Sequence, residues 1–128
     1  MKHLLILFMS LIPIFSFSQS QTDLLKRELI GTWLIKEIKI NGVPKPDFNP
    51  KLQDVIILKD NNVQITTDKA YGYEQTGPWK LKNEKFIELT DSETNDNQTL
   101  EIVNLENSIL KVKIVNEDTI IEMILSKK

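Results

Sequence analysis

The sequence contains no cysteine, and its only histidine is His3. Without these residues the chain cannot build a disulfide framework, a Cys/His zinc site, a cysteine nucleophile or a Ser-His-Asp triad, and its composition indicates no cofactor. Aromatic residues make up only 7% of the 128 residues, and the 16 basic and 18 acidic residues are spread without a basic block. This balance gives no reason to expect nucleic acid or an anionic membrane as a partner. The length fits a single domain.

Long apolar runs are also missing, except at the N-terminus. Leu4–Phe15 is an apolar run of 12 residues, preceded by Lys2 and followed by small polar residues, which is the layout of a secretory signal peptide. The run is shorter than the roughly 20 residues that span a bilayer, and an uncleaved membrane anchor is the alternative. We predict that residues 1–18 are removed before Gln19, or two residues later, and that the product is periplasmic or secreted. No cysteine follows the cleavage point, so no lipid anchor is expected.

The rest of the chain is typical of one short helix followed by strands. Residues 22–30 begin with capping-type side chains and carry leucines on one helical face, which predicts a short helix. Short runs of β-branched and aromatic residues then predict eight strands, at 32–40, 54–59, 63–68, 77–82, 85–90, 99–106, 109–115 and 119–126. No second helical segment separates any two strands, which excludes βαβ crossovers and a parallel sheet.

The connections between these strands indicate how the sheet is organised. Asn and Asp, which tolerate positive φ and favour tight hairpins, dominate four short connections at 60–62, 83–84, 107–108 and 116–118. A meander of this length can close on itself, which removes its exposed edges. The predicted fold class is therefore all-β, an eight-stranded antiparallel up-and-down barrel over residues 22–128 with a short N-terminal helix. A β-sandwich would show the same alternation of apolar and polar residues.

Two Gly-x-Trp motifs stand at the start of predicted strands. Gly31 and Trp33 directly follow the helix, and Gly77 and Trp79 begin the fourth strand. In these motifs the chain resembles the lipocalin-like proteins, and in particular the small exported lipocalin-like domains common in the Bacteroidetes. The resemblance implies that Gly31, Trp33 and Gly77 are structural, and that the helix plugs one end of the barrel. Glycine lets the chain turn tightly out of the helix, and the indole then covers the closed end.

The chain departs from the larger lipocalins in three features. It is shorter, it lacks their cysteine pair, and it has Lys127 and Lys128 in the region where those proteins place an arginine against the first-strand tryptophan. These differences affect the expected size of the cavity, and therefore the ligand that it could hold.

The resemblance implies that a small, largely apolar molecule binds non-covalently inside the barrel. An eight-stranded barrel holds either packed side chains or one small ligand, and we predict a cavity of about 300 Å³ or more. The predicted lining residues, which alternation places on the inner face, are Val63, Ile65, Trp79, Leu81, Leu89, Val112 and Met123. Phe48, in the proline-rich connection 41–53 that crosses the mouth as a lid in the family, and Tyr71 and Tyr73, in the loop before Gly77, are the predicted rim contacts.

Three other interpretations stay open at this point. A barrel with a filled core would instead bind a protein, such as an enzyme that it inhibits, through its loops or its last strand. That strand carries Ile120 and Ile124 on its second face, which a partner or the helix would cover.

A hydrolase or isomerase would need carboxylates in the barrel mouth. A bulge or an outward turn explains Glu37 and Glu88 more simply, so we expect no enzyme and assign no catalytic residue. The acidic segment 91–96 lacks the glycine of a calcium loop and is expected to be solvated.

Overall fold

The computed structural model describes residues 22–128, in which one helix precedes an antiparallel sheet. The predicted signal peptide, residues 1–18, lies outside this described part. Helix α1 covers residues 22–29, and a 3₁₀ turn covers Pro50–Leu52. The strands are β1 (Gly31–Ile40), β2 (Val43–Pro44), β3 (Val55–Leu58), β4 (Val63–Asp68), β5 (Tyr73–Lys82), β6 (Phe86–Thr90), β7 (Asn97–Glu106), β8 (Ile109–Asn116) and β9 (Thr119–Lys127). No helix within residues 22–128 is long and apolar enough to cross a membrane.

The sheet closes into a barrel because β1 pairs with strands on both of its sides. Its first residues, Gly31–Leu34, pair with β3, and Trp33–Ile40 pair with β9. From β3 to β9, each strand pairs with the next one in the chain. The two-residue β2 only extends the end of β1, so eight strands form the wall, as predicted. The closing pair β1–β9 excludes the β-sandwich.

The predicted strands are confirmed, and two of them begin at least two residues earlier than expected. β5 begins at Tyr73 and β7 at Asn97, so Tyr73 lies in a strand rather than in the preceding loop. The predicted hairpin turns contain the expected positive backbone angles, for example φ of 54° at Asn83 and 55° at Asn107. Asn and Asp therefore mark the hairpins for the physical reason given above.

The inner face of β4 is the reverse of the prediction. Gln64 is 0% exposed, whereas Val63 and Ile65 are only partly buried and lie on the outer face of the strand. The Gln64 amide donates to the carbonyl of Thr90 at 3.1 Å and accepts from the Thr66 hydroxyl at 2.7 Å. These hydrogen bonds offset the cost of burying the polar side chain. Val63 and Ile65 were therefore wrongly assigned to the interior.

Helix α1 closes one end of the barrel. Leu29 and Trp33 are fully buried there, and the indole Nε1 of Trp33 donates to the Leu29 carbonyl at 2.7 Å. The ammonium of Lys127 lies 5.4 Å from the centroid of the Trp33 ring and donates to the carbonyl of Glu28 at 2.7 Å. Lys127 thus makes both a cation–π contact and a hydrogen bond to the C-terminal turn of the helix, where a cation is favourable. It takes the place where the resemblance implies an arginine.

The second Gly-x-Trp motif packs at the same end. Trp79 is 2% exposed, its Nε1 donates to the carbonyl of Lys59 at 2.8 Å, and the ammonium of Lys26 from α1 lies 5.9 Å from its ring. Gly77 faces inward in β5, and a Cβ at this position would lie only 1.9 Å from the carbonyl oxygen of Thr90. Glycine is therefore required by the close approach of two backbone segments. Trp79 belongs to the packed end of the barrel.

The two carboxylates that interrupt apolar runs lie on the outer wall. A β-bulge between Ile35 and Glu37 turns Glu37 outward, where its carboxylate is 3.4 Å from the ammonium of Lys39. Glu88 forms ion pairs with two lysines of β5, at 3.4 and 3.7 Å. These two residues therefore do not meet inside the barrel, in agreement with the simpler interpretation of both.

Helix α1 does not cover the second face of β9. Of the two predictions for this face, a partner or the helix as its cover, the helix is therefore wrong. Ile120 is 39% exposed and lies at the open end, where its backbone N–H donates to the Asn41 side chain at 2.8 Å. The helix contacts the opposite end of the barrel, through Trp33 and Lys127.

Candidate functional site

Two adjoining cavities occupy the open end of the barrel, and a more open polar depression of about 440 Å³ lies beside them around Gln75, Gln98 and Asn116. The inner cavity has a volume of about 190 Å³, and the outer cavity has a volume of about 210 Å³. Five residues line both of them, namely Ile35, Ile38, Lys45, Thr66 and Gln98. The two cavities are therefore parts of one mouth, although neither alone reaches the predicted 300 Å³.

The inner cavity is predominantly apolar. Its lining comes from seven of the eight wall strands, all except β5, and polar groups enter it only from Lys45, Thr66 and Gln98. The apolar lining includes Ile38, Ile56, Leu89, Leu100, Ile121 and Met123. A concave apolar surface with a few polar groups at one side is the usual form of a small-molecule site.

Most of the residues that line the outer cavity are polar. The first connection contributes Lys45, Asp47 and Asn49, and Asp54 immediately precedes β3. The remaining polar lining comes from strands β4, β5 and β7 and consists of Thr66, Thr67, Asp68, Tyr73, Gln75 and Gln98. A ligand that filled both cavities would therefore pass from an apolar environment into a polar one.

The connection 41–53 covers the mouth, as the resemblance implies. Phe48, at its centre, packs against the core and lines the outer cavity. Beside it, the hydroxyl of Tyr71 donates to the carboxylate of Asp47 at 2.5 Å, and the ammonium of Lys45 lies 3.7 Å from Asp47 and 5.9 Å from the Tyr71 ring centroid. These contacts join the connection to the β4–β5 turn. We call residues 41–53 the lid and the Asp47–Tyr71 hydrogen bond the lid bond.

The lid bond changes the acidity of both partners. The hydrogen bond from Tyr71 holds the pKa of Asp47 below its ordinary value, with a further contribution from Lys45. The same bond raises the pKa of Tyr71, because loss of the phenol proton would put two negative charges next to each other. At neutral pH, Asp47 therefore carries the charge that accepts this bond and Tyr71 carries the proton that it donates.

Tyr73 makes a second contact of this kind on the other side of the mouth. Its hydroxyl donates to Asp91 at 2.8 Å, and the backbone N–H of Glu93 donates to the same carboxylate at 2.9 Å. These bonds lower the pKa of Asp91, the Glu93 N–H contributing most, and the bond to Asp91 raises the pKa of Tyr73. Asp91 is 5% exposed, so the beginning of segment 91–96 is tied to the barrel rather than fully solvated.

The structure brings only part of the predicted ligand contacts to the mouth. Leu89 and Met123 line the inner cavity, Phe48 and Tyr73 line the outer cavity, and Tyr71 holds the lid. The other predicted residues line neither cavity: Trp79, Leu81 and Val112 pack in the core, and Val63 and Ile65 lie on the outer wall. Apolar character alone therefore selects residues from the closed end as readily as from the mouth.

Apart from Tyr73, the polar lining of the mouth was missed by the sequence analysis. Gln75 and Tyr73 lie two and four residues before Gly77 in β5, and Gln98 lies two residues before the buried Leu100 in β7. Because side chains two residues apart share a face of a strand, the inward Gly77 and Leu100 already place these residues in the interior. Counting from a buried residue would have found them, whereas seeking only apolar residues did not.

Comparison with known families agrees with this architecture. A family model described as a lipocalin-like domain matches residues 29–112, which is more than half of the 128 residues. A search of curated proteins found no match. The matched span runs from the last residue of α1 into β8 and includes both Gly-x-Trp motifs. Together with the closed barrel of eight strands, this match shows that the chain belongs to the lipocalin-like domain family.

Proposed function

We propose that the protein binds one small, largely apolar molecule non-covalently in the mouth of its barrel, and that it is not an enzyme. The observation that carries this proposal is the inner cavity, an apolar recess of about 190 Å³ that seven wall strands line. A ligand in this recess would remove its own apolar surface and that of the recess from water, which is favourable. The lid above it supplies a cover for the bound molecule.

The volume of the inner cavity limits what apolar burial alone can achieve. At about 30 Å³ for each water-sized group, the cavity accommodates about six methylene groups. Burial of each contributes about 0.8 kcal/mol, which gives about 5 kcal/mol before the costs of association. Even before those costs are subtracted, this free energy corresponds to a dissociation constant of only about 0.2 mM. Tighter binding therefore requires contacts in the outer cavity as well.

The alternative of a filled barrel that acts only through its surface is less well supported. Its defining feature would be an interior packed with side chains throughout. Large side chains, such as Trp33 and Trp79, fill the closed end, but the inner cavity lies between the side chains of the open end. The structure thus favours a site inside the mouth.

The proposal includes export of the protein from a bacterial cell of the Bacteroidetes type. Its support is the sequence of residues 1–18, with an apolar run after Lys2 and small residues at the cleavage point. N-terminal sequencing of the protein from its own host tests this part. A mature chain that begins at Gln19 or Gln21 supports export, and a chain that still begins at Met1 contradicts it.

A titration with the neutral dye N-phenyl-1-naphthylamine tests the binding site. We expect a saturable rise in dye fluorescence with one dye bound per chain. The variant Ile121→Trp, which places an indole in the inner cavity, should weaken dye binding at least tenfold. The matched control is Ile120→Trp, on the outer face of the same strand, where the side chain is already 39% exposed. Equal dye affinity of the two variants, or a signal that never saturates, would refute a site in the mouth.

Native mass spectrometry of protein from its own host adds an independent readout. A retained non-covalent mass that the Ile121→Trp variant loses and the Ile120→Trp variant keeps would identify the natural ligand directly.

A further inference from the structure

The two walls of the mouth differ in chemistry. Strands β8, β9 and β1 contribute apolar side chains, such as Ile114, Ile121 and Ile38. The facing strands contribute hydrogen-bonding groups, among them the Thr66 hydroxyl and the Gln98 amide, which line both cavities. A purely apolar molecule would fill the inner cavity and leave the outer one, with its polar lining, unoccupied. The lining therefore fits an amphipathic molecule with one polar end.

Carboxylates outnumber cations in the lining of the outer cavity. Three carboxylates, those of Asp47, Asp54 and Asp68, line it together with the single cation of Lys45. Lys45 is paired with Asp47 at 3.7 Å, and the Asp54 carboxylate accepts the backbone N–H of Lys69 at 2.7 Å. Within residues 22–128, Asp68 takes part in no such hydrogen bond or ion pair. Its carboxylate is thus the charged group that is available to a ligand.

The position of Asp68 relates it to the inner cavity. Asp68 lies two residues after Thr66 on β4, so both side chains lie on the inner face of the barrel, about 7 Å apart along the strand. Thr66 marks the junction of the two cavities. A molecule whose apolar part lies below Thr66, and whose polar group extends several atoms beyond it, would therefore bring that group near Asp68.

We infer that the ligand is an amphipathic amine, whose apolar part occupies the inner cavity and whose ammonium group is bound by Asp68 in the outer cavity. The inference rests on the proposed function, since it assigns the ligand class of the same site. A carboxylate at the polar end would meet three anions and only one cation, which is already paired. An ammonium group instead donates hydrogen bonds to Asp68 and to neighbouring side-chain oxygens of the polar wall.

Three ligands with the same eight-carbon chain test the inference: octan-1-amine, octan-1-ol and octanoate. Each competes with N-phenyl-1-naphthylamine for the purified protein at neutral pH. We expect octan-1-amine to bind at least about tenfold more tightly than octan-1-ol, since a hydrogen bond to a charged group contributes that much or more. Octanoate should bind most weakly.

Two substitutions with matched controls test whether Asp68 and Lys45 determine the preference for octan-1-amine. Asp68→Asn should reduce the affinity for octan-1-amine to that for octan-1-ol and leave octan-1-ol unchanged. Asp60→Asn, the same substitution in the exposed turn at the closed end, should change neither affinity. Lys45→Gln should leave octan-1-amine bound as tightly as before or more tightly, whereas Lys59→Gln at the closed end should have no effect.

The outcomes separate this inference from the proposed function. Equal affinities for octan-1-amine and octan-1-ol, or octanoate binding tightest and depending on Lys45, would overturn the amine while the mouth remained the site. Octan-1-amine binding that Asp68→Asn and Asp60→Asn reduce equally would overturn the role of Asp68. Failure of the dye and all three ligands to bind would overturn the proposed function itself.

Discussion

Replacement of Gly77 by alanine tests whether backbone packing fixes the glycine of the second Gly-x-Trp motif. An added Cβ would lie 1.9 Å from the carbonyl oxygen of Thr90, 2.9 Å from its carbonyl carbon and 3.0 Å from the backbone nitrogen of Ser92. All three are backbone atoms, so rotation of a side chain cannot relieve the clash. Gly77 has no positive φ, so conformational strain does not contribute and the effect is steric.

The cost follows from two consequences of this clash. Overpacking a well-packed interior costs about 1–3 kcal/mol. Moving the Thr90 carbonyl also breaks its hydrogen bond with the Gln64 amide, 3.1 Å long, and a buried amide without a partner costs about 1–3 kcal/mol more. We therefore expect Gly77→Ala to lower the free energy of unfolding by about 4 kcal/mol, a large part of the 5–15 kcal/mol that is usual for a domain.

Urea unfolding followed by tryptophan fluorescence measures this change, because Trp33 and Trp79 are both buried. The matched control is Gly72→Ala, at a glycine with φ of +64° and no atom within 4 Å of the added Cβ. This control has only the cost of a left-handed backbone, about 1 kcal/mol. If Gly77→Ala destabilises the protein no more than Gly72→Ala does, steric exclusion by the 90–92 backbone is refuted.

Three further predictions concern single polar contacts. Gln64→Leu should lower the free energy of unfolding by about 1–3 kcal/mol in urea titrations, because it leaves a buried carbonyl without its donor; no loss would show that the amide is dispensable. Trp33→Phe removes one buried indole hydrogen bond and should cost at least about 1 kcal/mol, with an unchanged denaturant slope as the sign that the fold is kept. The carboxyl pKa of Asp47 is lowered from its model-compound value of 3.8, so its stabilisation of the lid is present above that value and is lost as the pH falls through the lower pKa of the folded state. Carboxyl-carbon NMR titration should show this pKa moving back toward 3.8 in Tyr71→Phe, and an unmoved value would contradict the lid bond.

The strand order was predictable because its determinants are local. Four of the hairpins are encoded by Asn or Asp residues in their own turns, and Asn83 and Asn107 adopt the positive φ that those residues tolerate. The closing pair β1–β9 is not local, but an unpaired edge on a long meander is unfavourable, so closure followed from the same pattern. The bulge beside Glu37 was also predictable, since a charged residue in an apolar run needs a way to reach the surface.

The inner faces were harder to predict because burial of a polar residue depends on distant partners. Gln64 is acceptable inside the barrel only because the Thr90 carbonyl, 26 residues away in sequence, accepts its hydrogen bond. The lid bond likewise joins Asp47 to Tyr71 across 24 residues. Neither partner can be recognised from spacing along the chain. The other polar residues that line the mouth, such as Gln75 and Gln98, were missed because the search was for apolar alternation.

The two ends of the barrel have different roles, which follow from the sizes of their side chains. Both indoles lie at the closed end, where α1 and Lys127 cover them, and neither indole lines a cavity of the mouth. The two indoles fill the closed end, whereas mainly aliphatic side chains surround the inner cavity at the other. A ligand in the mouth should consequently change intrinsic tryptophan fluorescence little, so tryptophan emission reports folding and an added dye must report binding. A large, saturable quenching of tryptophan by octan-1-amine would place the ligand at the closed end and contradict this division.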